Sequence, residues 1–178
     1  MKNLIAIDPG ANGGFALLRH GEPAQAFPMP ATEGDILDLL RELADPPQDS
    51  TALIEEVSGF VGRPQPGSAM FKFGRNFSFL IGVLQGDRVR IEFVRPARWQ
   101  KPFALGTASK CESKTAWKNK LKAAAQRLYP NLKVTLNTAD ALLILEFGRR
   151  FHGKFTNQKE STQEPARPNV VPLSKAAS

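Results

Sequence analysis

Three carboxylates in this chain are placed where a fold could aim them at one another. Asp8 ends the first apolar run, Leu4-Ile5-Ala6-Ile7, and is followed at once by Pro9-Gly10-Ala11-Asn12-Gly13-Gly14. Glu55 ends a second run, Ala52-Leu53-Ile54. Asp140 stands in Thr138-Ala139-Asp140-Ala141-Leu142-Leu143, at the expected first turn of a helix, where the helix N-terminus favours an anion. A charge that closes a buried strand cannot be left unpaired in the interior, so it must face a cation, a ligand or solvent. Three oxygen donors with no His or Cys beside them suit hard cations, Mg²⁺ or Mn²⁺, over zinc. One or two such ions, roughly 3.5–4 Å apart if two, activate water and stabilise a leaving oxygen in phosphodiester hydrolysis. Singly, each acid has a plain alternative: turn former, surface acid, helix-terminal charge. Two strand-end acids beside the charge distribution below favour the site.

The net charge of +7 is unevenly spread. Residues 1–60 carry 3 basic and 10 acidic side chains, whereas residues 95–130 carry 9 and 1. Acids to hold cations beside Lys and Arg to hold phosphates are what a metal-dependent enzyme acting on a polyanion requires. At 178 residues the chain has room for one domain and a tail. Its single cysteine, Cys111, rules out an internal disulfide and suits a reducing compartment. No segment approaches the roughly 18 apolar residues of a membrane span, and the first apolar run is too short for a signal peptide. A soluble cytoplasmic protein, bacterial or from a phage-infected cell, is predicted, with no membrane partner.

The elements that must position the acids follow from periodicity. Strands are predicted at 3–8, 14–19, 24–27, 51–55 and 89–94, with His20-Gly21-Glu22-Pro23 joining the second to the third as a hairpin. Thr32 caps a helix whose Ile36, Leu39, Leu40 and Leu43 share a face and which Pro46-Pro47 ends. Residues 57–67, rich in Gly and Pro, make a loop. Helices are predicted at 68–85, with Phe73, Phe77, Leu80 and Leu84 inward; at 113–129, with Trp117, Leu121, Ala124 and Leu128 inward; and at 138–151. Lys110, Lys114, Lys118 and Lys122 recur every four residues and define a basic stripe on another face. Beyond 151 the chain is polar with scattered prolines, so the expectation is a domain at 1–151 and a flexible tail at 152–178. The order predicts an α/β mixed sheet with an antiparallel hairpin edge and helices on both faces.

Taken in order, Ile5-Ala6-Ile7-Asp8-Pro9-Gly10, Ala52-Leu53-Ile54-Glu55 and Ala139-Asp140-Ala141-Leu142-Leu143 resemble the catalytic motifs of the RuvC-type Holliday junction resolvases of the RNase H-like superfamily. Met70-Phe71-Lys72-Phe73-Gly74-Arg75-Asn76-Phe77 and Pro96-Ala97-Arg98-Trp99-Gln100-Lys101 look closest to the phage-encoded and chloroplast branch. The resemblance covers about residues 3–150. It implies an RNase H-like five-stranded sheet, three antiparallel strands followed by parallel ones. It also implies a homodimer that binds a four-way DNA junction and nicks two strands symmetrically with divalent metal and no nucleotide cofactor. By position, Asp8, Glu55 and Asp140 match metal ligands, Lys114 falls where the family places a lysine near the scissile phosphate, and Phe60 lies near its base-stacking aromatic, two residues further along. The chain departs from the pattern at Asn137, where a fourth acid is usual: its carbonyl oxygen can still bind a hard cation but adds no charge. Glu56 or Glu146 is the available substitute.

Beside such a site the lysine stripe becomes a phosphate-tracking surface, which Arg63, Lys72, Arg75, Arg95, Arg98 and Lys101 extend. Phe60 and Phe71 are placed to stack on an unpaired base, whereas Trp99 and Trp117 are core residues. The Phe-rich helix at 68–85 has too many apolar residues for one face, which marks it as a dimer surface, and two-fold symmetry suits a junction. His20 and His152 are too remote from the acids to be ligands. Three other classes remain open: a nuclease on an RNA–DNA hybrid or ribosomal RNA precursor, a junction-binding protein without catalysis, and an actin-like nucleotide-binding fold. The last needs a second domain that 178 residues do not provide.

Overall fold

Leu4, Ile5, Ala6 and Ile7 are all buried, and they divide between two separate cores. Leu4 and Ala6 join a cluster with Ala16, Leu53, Trp99, Trp117, Leu121 and Leu142, whereas Ile5 and Ile7 join Phe15, Leu17, Ile54, Ile36, Leu40, Leu80 and Leu84. That is the period of two of a strand covered on both faces, and it makes the first strand the centre of the molecule. The computed structural model describes residues 3–56 and 67–155. Phe60, Arg63, most of the loop expected at 57–67 and the tail from 156 onward lie outside the described residues.

The five strands are β1 (Asn3–Asp8), β2 (Gly14–Arg19), β3 (Gln25–Pro28), β4 (Ser50–Glu55) and β5 (Arg90–Val94). They form one sheet in the order β3-β2-β1-β4-β5. The β1–β2 and β2–β3 pairs are antiparallel, and β1–β4 and β4–β5 are parallel, as the mixed-sheet expectation requires. Helices α1 (Glu33–Leu43) and α2 (Gly67–Gly86) supply one core, with the Thr32 hydroxyl accepting from the Asp35 amide at 3.1 Å as the N-cap. Helices α4 (Lys114–Leu128) and α5 (Ala139–Phe155) supply the other.

Two details depart from the sequence pattern. A short helix, α3 (Pro96–Gln100), follows β5 directly; five residues carry too little periodicity to be seen in advance, although Pro96 at its first position suits a helix start. Helix α5 runs four residues beyond the predicted end at 151. Phe147 and Phe151 pack as a tilted ring pair at 5.3 Å, and Arg149 and Arg150 bind Glu146 one turn back, so the helix is held from both sides up to Phe151. From Ala139 to Gly148 every residue of α5 is buried, and Gly148 permits the approach: a Cβ there would come within 2.9 Å of Leu4 and 3.0 Å of Leu53.

Candidate active site at the carboxyl edge of the sheet

Parity decides where the acids point. Asp8 alternates with Leu4 and Ala6, and Glu55 with Leu53, so both carboxylates leave the sheet on the α5 side. Parallel pairing of Ile7 with Ile54 sets the two strand ends side by side. Asp140, the second residue of α5, descends onto the same edge. The turn after Asp8 leaves no space for larger residues: a Cβ at Gly13 would lie 2.0 Å from the Asp8 carbonyl oxygen and 3.1 Å from its carboxyl carbon. The Gly10 amide donates to Asn76 Oδ1 at 3.1 Å, which ties the turn to α2.

The three carboxylates are distributed between two pairings. A side-chain hydrogen bond joins Asp8 to Glu55, and Lys118 Nζ donates to Asp140 Oδ2 at 2.5 Å. Asp8 is 8% exposed and Asp140 5%. Burial, together with the nearby Glu55 and Asp140 charges, holds the Asp8 carboxyl well above the usual carboxylate range. Burial also raises Glu55, against the opposing hydrogen bond that its Oε1 accepts from the Trp99 indole N–H at 3.0 Å. Burial disfavours the Lys118 ammonium, but Asp140, Asp8 and Glu55 outweigh it and its pKa is raised. Among the described residues, the Lys118 ammonium thus faces all three acids.

Asp140 Oδ1 is buried with no hydrogen-bond partner. An orphaned carboxylate oxygen beside two further acids, with oxygen the only donor type, fits a hard divalent cation. Among the described residues, no three acidic, His or Cys groups already surround a common point. Asn137 is half-buried just before α5, and its backbone carbonyl packs over β2, 2.8 Å from where a Cβ at Gly14 would lie.

The remaining predicted residues are spread over several elements. Lys114, Lys118 and Lys122 do share a face of α4, but Lys110 lies outside that helix, in a separate 3₁₀ turn, so the stripe is three residues long. Of these, Lys118 is the one at the acids, while Lys114 is exposed at the first position of the helix. Lys72 and Arg75 lie on α2, on the opposite face of the sheet, where Arg75 pairs with Glu33 at 2.8 Å. Arg98 and Lys101 are exposed around α3. Phe71 is 73% exposed on the first turns of α2.

Neither substitute acid reaches the site unencumbered. Glu146 accepts from Arg149 and Arg150, and it also lies 3.3 Å from the Tyr129 hydroxyl; despite its burial the two guanidiniums hold it below the usual range. Glu56 pairs with Arg95 at 3.0 Å. The part Trp99 plays at Glu55 was not legible beforehand, because a tryptophan in a short apolar context signals only core.

No protein-family model matches the chain, and no curated protein matches it. Among solved structures, Thermus thermophilus RuvC superposes with a TM-score of 0.57 at 16% identity, covering 86% of this chain and 97% of that one. The structure of T. thermophilus RuvC in complex with a Holliday junction substrate gives 0.58 at 15% identity, covering 88% and 98%. At such identity the likeness is one of fold. The chain has the RuvC-type, RNase H-like fold that its motifs imply.

Proposed function

We propose that the protein is a divalent-metal-dependent endonuclease that resolves four-way DNA junctions. The observation that carries the reading is the meeting of Asp8, Glu55 and Asp140 at one sheet edge, with Asp140 Oδ1 unpartnered, in a fold whose structural relatives include one solved with a Holliday junction. Asp8, Glu55 and Asp140 would hold Mg²⁺, with Mn²⁺ as substitute, and Asn137, just before α5, would add a neutral oxygen donor. The bound cation supplies a water made nucleophilic at neutral pH and charge stabilisation for the leaving oxygen. Asp8 would coordinate as the carboxylate, since only the deprotonated form is a ligand. Lys118, already among the acids, limits their mutual repulsion and offers a cation to a phosphate drawn to the edge. Lys114 and Lys122 continue that positive face along α4, and Lys72, Arg75, Arg98, Lys101 and Lys110 supply outlying phosphate contacts.

A homodimer completes the reading. Gly67, Phe71, Gly74, Ser78, Gly82 and Gly86 are exposed along α2, and a Cβ at any of the four glycines would meet nothing within 4 Å. Such a face admits a second helix at close range, and two copies related by a two-fold axis present two sites to two equivalent strands.

The test is a synthetic junction incubated with the purified protein and Mg²⁺ or Mn²⁺. Paired symmetric nicks are expected, with Asp8→Asn and Asp140→Asn binding the junction yet cutting at least ~100-fold more slowly, because loss of an outer-shell partner alone typically costs 10–100-fold. Preferred cutting of an RNA–DNA hybrid or linear duplex would reassign the substrate. Tight junction binding with no cutting, even after Asn137→Asp, would refute catalysis and leave a binding protein.

A further inference from the structure

We infer that Trp99 is a positioning residue for Glu55, fixing through its indole N–H the direction in which that carboxylate faces the metal. The inference rests on the metal-site reading above and deepens it. Trp99 is 0% exposed, so its N–H has no access to water, and the partner it finds is Glu55 Oε1 at 3.0 Å. A buried indole donor aimed at a polar side chain, when the ring could have faced an apolar neighbour, is a directional contact.

The surroundings make Trp99 a rigid mount. Val94 pairs with Glu55 across the β4–β5 register, and the Glu56 amide donates to the Val94 carbonyl at 2.8 Å, so the backbone of Glu55 is held on that side. Pro96 then starts α3, and the Trp99 amide closes that turn on the Arg95 carbonyl at 3.2 Å. Five residues after its pairing partner, the chain thus brings the indole back over Glu55. The ring itself packs in the core with Trp117, Leu121 and Leu142.

The chemistry of the donor matters. Lys118 holds Asp140 with a full positive charge, which competes with a cation for the same carboxylate. Trp99 is neutral, so it fixes one oxygen of Glu55 while leaving the negative charge available. A carboxylate whose rotamer is set before the ion arrives loses less freedom on binding it.

Two variants of the full chain test this: Trp99→Phe, and replacement of Trp99 by benzothienylalanine, which keeps the bicyclic ring and removes only the N–H. Mn²⁺ affinity, read by electron paramagnetic resonance of the free ion, should fall about 10–100-fold in both, while junction binding in EDTA is unchanged. In a Glu55→Ala background, the Trp99→Phe change should cost no further Mn²⁺ affinity, a coupling that a merely structural tryptophan would not show. Wild-type Mn²⁺ binding with unaltered affinity in the benzothienyl variant would overturn the positioning role and leave the metal site standing. No Mn²⁺ binding by the wild type would overturn both.

Discussion

Replacing Lys118 with methionine removes the ammonium that, among the described residues, stands beside the three acids, while keeping the length and most of the apolar stem of the side chain. Asp140, whose side chain is 8% exposed, then has no partner on either oxygen, because Oδ1 already lacks one. Stripping a partner from a fully buried ion pair costs about 3–5 kcal/mol, and an exposed pair is worth under about 1 kcal/mol. The Lys118 side chain is 43% exposed, which places this pair between those limits, at about 2 kcal/mol. For a chain of this length that is a fall of roughly 4–8 °C in Tm. Melting in EDTA measures it, with Lys114→Met as the comparison; exposed at the start of α4, Lys114 should change stability by no more than about 0.5 kcal/mol. Mg²⁺ should then restore more stability to Lys118→Met than to the wild type, since a cation bound only by the folded state replaces the missing charge. Equal Tm values for wild type and Lys118→Met in EDTA, or an equal gain from Mg²⁺ in both, would show that the ammonium does not offset the acids, and the electrostatic account of the site would fail.

Protonation gives a second prediction. The folded-state pKa values of Asp8 and Glu55 lie above their ordinary 3.8 and 4.5, so the folded protein holds protons that the unfolded chain has released. Metal-free stability from these groups is therefore fully present below about pH 4 and declines as pH rises through the raised values. Asp8→Asn should gain on the wild type between pH 5 and 8 in EDTA urea titrations, and a pH-independent difference would contradict the shift. Asn137→Asp adds a charge beside this cluster; it should tighten Mg²⁺ binding in calorimetry and lower Tm in EDTA, and a change of the same sign in both would count against the shared site. Gly82→Leu places a side chain where nothing lies within 4 Å in a single copy, so the monomer should fold normally while sedimentation shows the dimer weakened. An unchanged dimer moves the interface away from that face of α2.

Much of the fold was legible because the signals are short-range. All five strands and the four long helices follow from alternation, helical spacing and breakers such as Pro46-Pro47; Thr32 caps α1 as expected, and Ser113, expected as the first residue of its helix, is instead the N-cap of α4. Helix α3 escaped for want of length. The end of α5 escaped because Glu146, Arg149 and Arg150 look like ordinary surface charges until Glu146 is found buried beneath both guanidiniums.

The sequence alone put three acids at the ends of elements and identified the elements that carry them. Asp8 and Glu55 each close an apolar run, and Asp140 opens a helix, whatever the fold around them. It could not decide how those acids are partnered. Lys114 and Lys118 stand four residues apart on one helical face, and periodicity treats them alike. Only the packing of α4 against α5 sets Lys118 on Asp140 and leaves Lys114 exposed. Trp99 lies 44 residues from Glu55 in the chain, and their bond exists because β4 and β5 pair in parallel before α3 turns back. Local patterning fixes what a residue is next to along the chain, whereas partnership across the site depends on how the helices dock on the sheet.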